Sequence, residues 1–300
     1  MATVISSSPR RSLTSWLFVY LIYLLAVILF GAVVRATHSG AGCGTNWPLC
    51  KGEWIPAGSS IKTWIEFTHR VTSGATLPLA LFLYMWARRC FAAYHPCRKA
   101  LVAVLGFLIV EALLGASIVW LEHVADNRSS ARAVTMSIHL VNTFLLMACG
   151  VWSFLASCKE RIGGTAQPRL YVGIGAVAIL FVGISGAITA LGDTLFPPLS
   201  TGEVLSLAQD ATSHLFLRLR VYHPFFALCL TAYLALLTWH CASEDSKRWK
   251  SYAGFASLLV VQILAGYFNI HLLAPLWMQL IHLGIAQCVW MSYIGLFVYR

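Results

Sequence analysis

Charge is what this 300-residue sequence has least of: Asp and Glu number 11, Lys and Arg 21, and charged residues are 11% of the chain where hydrophobic ones are 59%. At a mean hydropathy of +0.75, that excludes a soluble fold, whose water-facing surface needs far more charge. A clustered basic face is missing too. The formal net charge of +10 is scattered through short loops between apolar runs, which excludes a nucleic-acid surface. No ten-residue alternation of polar and apolar residues occurs, and its absence excludes a membrane β-barrel. Nor do the nine cysteines form a disulfide scaffold, because seven fall in apolar runs or on the side read below as cytoplasmic.

What the chain does have is a series of apolar runs, at approximately 16–34, 64–87, 100–120, 133–157, 170–190, 217–239, 252–272 and 276–298. Runs of about 20 residues suit helices that cross a bilayer, and in lipid only helices and closed barrels satisfy their own backbone. The sequence therefore reads as an all-α integral membrane protein of eight transmembrane helices, with no room for a soluble domain. Thirteen Lys and Arg lie in the N-terminal tail, the even-to-odd connections and the C-terminus, seven lie on the other side, and Arg70 sits inside a helix. By the positive-inside rule both termini are cytoplasmic, and loops 35–63 and 191–216 face outward. Pro9-Arg10-Arg11-Ser12-Leu13 resembles a twin-arginine signal in outline, but the run behind it is long and lacks a cleavage site, so it is expected to stay as helix one. A leading segment too short for an organelle transit peptide points to a bacterial plasma (inner) membrane.

An internal repeat is visible. Phe30-Gly31-Ala32-Val33 echoes Ser185-Gly186-Ala187-Ile188, and Glu111-Ala112-Leu113-Leu114-Gly115 echoes Gln262-Ile263-Leu264-Ala265-Gly266. His139 aligns with His282, and His69 with His223, at similar offsets. Two tandem four-helix bundles follow, 1–162 and 163–300, related by a pseudo-twofold axis along the membrane normal.

Four of the ten histidines, His69, His139, His223 and His282, lie within spans, one in each even-numbered helix, each about 9 Å in from the outer helix end. A single histidine so placed is usually a packing residue. Four at one depth and at repeat-related positions argue instead for ligands facing a bundle interior. Neutral imidazole suits haem iron, copper and zinc alike. Pairing His69 with His139 and His223 with His282 gives each half the two axial ligands of a planar macrocycle, hence two b-type haem sites. A bare metal-ion site would add Cys, Asp or a third His.

The first half alone carries Glu66-Phe67-Thr68-His69-Arg70. Glu66 and His69 share a helical face, and Glu66 to Arg70 is the favourable order for an i to i+4 ion pair. Glu66 is either one end of a structural bridge or a proton acceptor beside a bound haem. The second half keeps Arg220 and His223 but no carboxylate at that spot, so one haem would react and the other carry electrons. Cys43 and Cys50 lie in the outward loop, where a bridge is permitted, as a staple or as a redox pair. Arg35, Lys51, Arg128, Arg132, Arg218 and Arg220 crowd the outer mouth, as partners for haem propionates or as solvated loop charge. Glu111, near the middle of helix three with Gln262 as its repeat mate, reads as a neutral or hydrogen-bonded packing group, with a proton path as the alternative.

These features together resemble the heme A synthase family: eight spans in two halves, Gly40-Ala41-Gly42-Cys43 with Trp47-Pro48-Leu49-Cys50, Glu66-x-x-His69-Arg70, and single histidines in helices four, six and eight. The resemblance implies oxidation of the C8 methyl of haem o to the formyl of haem A, for the assembly of haem-copper oxidases. It implies Glu66, His69 and His139 in the substrate half, His223 and His282 as ligands of a resident haem b, and a Cys43–Cys50 disulfide. It also implies haem o supplied by a membrane haem farnesyltransferase and an electron acceptor the sequence does not identify, and leaves homo-oligomerisation open. Arg70 and Arg220 are the arginines assigned to cofactor binding. Some relatives carry a second cysteine pair in the later outer loop, whereas residues 191–216 hold none. Two rivals come from other classes: a diheme b-type electron-transfer cytochrome, and a repeat-built transporter.

Overall fold

Helices dominate because a backbone in lipid has no partner but itself. The computed structural model describes residues 7–158, 169–210 and 212–299. Its helices are α1 (Ser7–Ala36), α2 (Ile61–Cys90), α3 (Pro96–Trp120), α4 (Ser130–Ser157), α5 (Arg169–Leu195), α6 (Thr201–Gln209), α7 (Leu215–Leu219), α8 (Tyr222–Glu244), α9 (Trp249–His271) and α10 (Leu276–Tyr293). The last closes in a π turn over Ile294–Val298. No strand forms among the described residues beyond an isolated bridge between Cys50 and Glu53.

The helix starts are written locally. Ser60, Ser129 and Ser200 accept the N–H of Thr63, Arg132 and Glu203 and so cap α2, α4 and α6. His95 caps α3, with Pro96 at a first-turn position where a missing N–H costs nothing. Among the described residues, seven helical segments are long and apolar enough to cross a membrane: α1, α3, α4, α5, α7 with α8, α9, and α10 with its π turn. α2 is 30 residues long but is not one of them. Lys62, Glu66 and Arg70 at one end, Arg88 and Arg89 at the other, and Thr72, Ser73 and Thr76 between them hold its apolarity down.

α7 and α8 replace the single run expected from 217, and the physical cause is Pro224. It has no N–H to offer the carbonyl of Arg220, and its ring crowds the preceding turn. The chain breaks at Arg220 and Val221 and restarts at Tyr222. His223 is thus the second residue of a helix rather than a mid-helix residue.

Consecutive long helices pack side by side, α1 with α2, α2 with α3, α3 with α4, then α5 with α8, α8 with α9 and α9 with α10. The two sets meet where α4 packs on α5 and α1 on α10. Apolar packing is uneven along the bundle. The main core gathers Leu13, Leu17, Leu101, Met147, Leu234, Tyr252, Tyr293 and Phe297, all at the end opposite the 37–60 loop. The loop end holds only a small cluster of Ala133, Leu191, Leu195 and Phe216. Since lipid tails are as apolar as the side chains they would replace, such packing is held by close fit and hydrogen bonds. Trp290 Nε1 donates to Phe144 O at 2.7 Å and the Tyr293 hydroxyl to Val172 O at 2.6 Å, tying α10 to α4 and α5. Tyr20 and Tyr23 donate to Thr76 O and Thr72 O beside Pro78, which interrupts the α2 ladder.

Candidate functional site

The four in-helix histidines all lie in the half of the bundle that the main core does not fill. His69, His139 and His282 sit about two turns into α2, α4 and α10. All four rings are half-buried.

Three of them rest on a glycine of the neighbouring helix. A Cβ on Gly31 would lie 3.2 Å from His69 Cε1, one on Gly186 2.9 Å from His223 Cε1, and one on Gly266 3.1 Å from His282 Cε1. His223 is fixed further. The Ser185 hydroxyl donates to Val182 O at 2.8 Å and therefore accepts from His223 Nδ1–H at 2.9 Å, which leaves the Nε2 lone pair available to a metal. The rings of His223 and His282 are 6.4 Å apart between centroids and perpendicular, at 89°. Two imidazoles trans on one iron, with metal–nitrogen bonds of about 2 Å, have centroids about 6 Å apart. The pair therefore fits a bis-histidine haem. His282 Nε2 also lies 3.3 Å from the Gln262 side-chain nitrogen.

In the other set, His69 stands edge-on to Phe30, and His139 is supplied by α4. The Nδ1 atoms of both are buried without a hydrogen-bond partner. Among the described residues no three of His, Cys, Asp and Glu gather as a metal-ion site.

Glu66 is 3% exposed. Its Oε1 accepts from Arg70 Nη2 at 2.6 Å and Nε at 3.2 Å, and its Oε2 from the Cys43 N–H at 2.7 Å. Arg70 Nη1 donates to Asn46 O at 2.5 Å and Leu49 O at 2.8 Å, so one ion pair clamps the whole 43–50 loop. Cys43 and Cys50 are joined in a disulfide, and both are buried. Gly42 lets this loop lie on the start of α2: the Thr63 hydroxyl donates to its carbonyl at 2.8 Å, and a Cβ there would lie 2.6 Å from Lys62 O. Backbone cannot yield to that overlap. Gly42→Ala is accordingly expected to lift the loop, and the Cys43–Cys50 bond should be reduced at least several-fold faster by a mild water-soluble thiol. Unchanged reduction kinetics, followed by labelling of the released thiols, would refute the close approach.

Three arginines of the loop end are committed to protein groups. Arg35 donates to Ala190 O, Thr194 Oγ1 and Gln279 Oε1, joining α1 to α5 and α10. Arg132, buried, donates to Ala125 O and Asn127 O. Arg220, also buried, donates to Phe196 O at 2.6 Å, and its Nε lies 2.9 Å from Asp193 Oδ1, an ion pair by distance although the N–H is not aimed at the oxygen. Arg128 lies over the Phe196 ring. Solvated loop charge does not describe the buried Arg132 and Arg220, whereas Arg128 is exposed. Glu111 accepts from Asn142 Nδ2 and Thr143 Oγ1, and lies 3.5 Å from His139 Nδ1.

Sequence reasoning gave no role to Gly31, Gly186, Gly266, Ser185 or Asp193. The glycines carried a signal, since two of them stand in the repeat next to Phe30 and Ser185 and the third ends the helix-three echo. Asp193 carried none, because its pairing with Arg220 depends on how α5 meets α7.

The sequence pattern described as cytochrome oxidase assembly protein, COX15-CtaA, matches residues 14–294. A Thermus thermophilus protein named protoheme IX farnesyltransferase is 42% identical over 282 residues, covering 92% of this chain and 46% of its own length. Proteins named heme A synthase from Bacillus mycoides and Bacillus cereus are each 39% identical over 129 residues, 42% of this chain and 40% of theirs. The chain spans about half the length of the curated relatives it matches, or less.

Proposed function

The chain belongs to the cytochrome oxidase assembly protein family, and on that footing we propose that it is a heme A synthase, an oxidoreductase that converts the C8 methyl of haem o to a formyl group. The observation that carries the proposal is the histidine pairing: the rings of His223 and His282 are 6.4 Å apart, while His69 follows the buried Glu66 by one turn of α2 and His139 lies beside Glu111. Relatives named heme A synthase support the reaction, and the relative named protoheme IX farnesyltransferase supports a haem farnesyltransferase as the source of haem o.

In this reading residues 1–162 hold the substrate half and 163–300 the cofactor half. α2 is the eighth span, and the halves are related by a pseudo-twofold axis. Support for the axis comes from the packing of α4 on α5 and of α1 on α10, contacts that such an axis would exchange. Both termini lie in the cytoplasm of a bacterial plasma membrane, which the Lys and Arg distribution supports.

The substrate, haem o, is gripped through its iron by His69 and His139. Glu66, one turn from His69 on the same face of α2, takes up protons as the methyl is oxidised in successive two-electron steps. Arg70 and the Cys43 N–H fix where its oxygens point. Water is the proposed oxygen source, and the electrons taken from the methyl would leave through the second site to an acceptor outside this chain. Haem b, held by His223 and His282, would supply one-electron transfer. Ser185 keeps His223 in the tautomer a ligand needs. Arg70, adjacent to His69 in the chain, and Arg220, three residues before His223, are the arginines proposed to border the two haems.

The test is extraction and mass analysis of the haems bound to the protein purified from cells that make haem o. Haem b with haem A, or with a C8-hydroxylated intermediate, is expected. Haem b alone at two per chain would overturn the synthase and leave a diheme electron-transfer cytochrome.

A further inference from the structure

His69, His223 and His282 share a seat that His139 lacks. The glycines under the first three would each drive a Cβ to within 2.9 to 3.2 Å of the imidazole. The residue that corresponds to Gly266 in the first repeat is Gly115, and a Cβ there meets nothing within 4 Å. Among the described residues His139 is therefore the one in-helix histidine without a glycine beneath its ring. Its Nδ1 is buried without a hydrogen bond, and the nearest charged group is Glu111 Oε1 at 3.5 Å.

Glu111 itself is well anchored. Asn142 Nδ2, which also donates to Phe107 O, holds Oε2, and Thr143 Oγ1 holds Oε1 at 2.7 Å. Both partners come from the turn of α4 that follows His139. The carboxylate, carried on α3, is thus fastened to α4, with Oε1 3.5 Å from His139 Nδ1. In the second repeat the corresponding pair is Gln262 with His282, but there the amide nitrogen lies 3.3 Å from Nε2, the other ring nitrogen. Repeat mates contact repeat mates, but a carboxylate faces the unseated ring and a neutral amide faces the seated one.

We propose that His139 is the exchangeable ligand of the first haem site, with Glu111 as its positioning residue, while His69 on Gly31 is the permanent ligand. The inference rests on the synthase reading and extends it. A site through which a haem must pass, arriving as substrate and leaving as product, needs one ligand that lets go. A site with a resident haem needs two that do not, and the second pair is seated on both sides. A carboxylate beside Nδ1 orients an imidazole and strengthens its bond to iron without packing it in place, so the ligand rebinds in one orientation after each release.

Carbon monoxide is the probe, since it binds ferrous haem only where an axial ligand leaves. Wild type, Glu111→Ala, Glu111→Gln, His139→Ala and His69→Ala are loaded with haem o, and haem content, spin state and carbon monoxide binding rate are read. Wild type should hold two haems, only one of which takes carbon monoxide. His139→Ala should keep both haems, with the reactive one high-spin, whereas His69→Ala should keep one. Glu111→Ala should bind carbon monoxide at least tenfold faster at the reactive haem, with Glu111→Gln between it and wild type. The unreactive haem reports in every variant that the bundle is folded. Equal loss of haem from His69→Ala and His139→Ala, or a Glu111→Ala protein indistinguishable from wild type, would overturn the assignment of Glu111 and His139 alone. A wild-type protein that takes up a single haem would overturn the two-site reading and this inference with it.

Discussion

Glu66→Gln is expected to lower haem A formation by a factor of about a hundred to ten thousand, the range that a positioned proton acceptor contributes, with haem b still bound and haem o left unreacted. The geometry makes this variant more than a removed base. Glu66 and Arg70 are nearly buried, their side chains 4% and 11% exposed, and stripping the charge from one partner of such a pair costs about 3–5 kcal/mol because the other is left uncompensated. The 43–50 loop hangs on the same two residues. The single variant should therefore lose thermal stability as well as activity. A Glu66→Gln, Arg70→Gln double variant removes both charges and keeps an amide donor near Asn46 O and Leu49 O. It should recover part of the stability and none of the haem A. If haem A formation returned with the stability, Glu66 would be a bridge and not a proton acceptor.

Gly186→Ala is expected to strip haem b from the second site while the protein still folds. The added methyl would stand 2.9 Å from His223 Cε1 and 3.4 Å from both ring nitrogens, so the ring must turn away, losing its bond to Ser185 and its position opposite His282. Overpacking of this kind costs about 1–3 kcal/mol, or roughly tenfold to a hundredfold in haem retention. Gly115→Ala is the control, because a Cβ there touches nothing within 4 Å. Absorbance per chain after purification reads the outcome. Full haem b in Gly186→Ala would mean that His223 is no ligand.

The membrane class, the helix positions and the four histidines were legible in the sequence because each is a local property: an apolar run of sufficient length, or a polar residue inside one. Glu66 with Arg70 was legible for the same reason, as four residues make one helical turn. The break before His223 could have been read from Pro224. The roles of Gly186 and Asp193 could not, since each is defined by a partner on another helix, His223 and Arg220. The loop-end arginines show the limit most clearly. Sequence gave Arg35 and Arg220 a place near the outer mouth, but not their partners Thr194, Gln279, Asp193 and Phe196.

By itself the sequence determined that this chain is a helical membrane protein with four histidines in its helices, since hydropathy and helical periodicity act along the chain. Tertiary structure alone decided which histidine is seated and which is not, and that the Glu66 carboxylate is shared between Arg70 and the disulfide loop. Those facts depend on how closely two helices approach at one residue, a distance set by packing across the bundle rather than by neighbours in the chain.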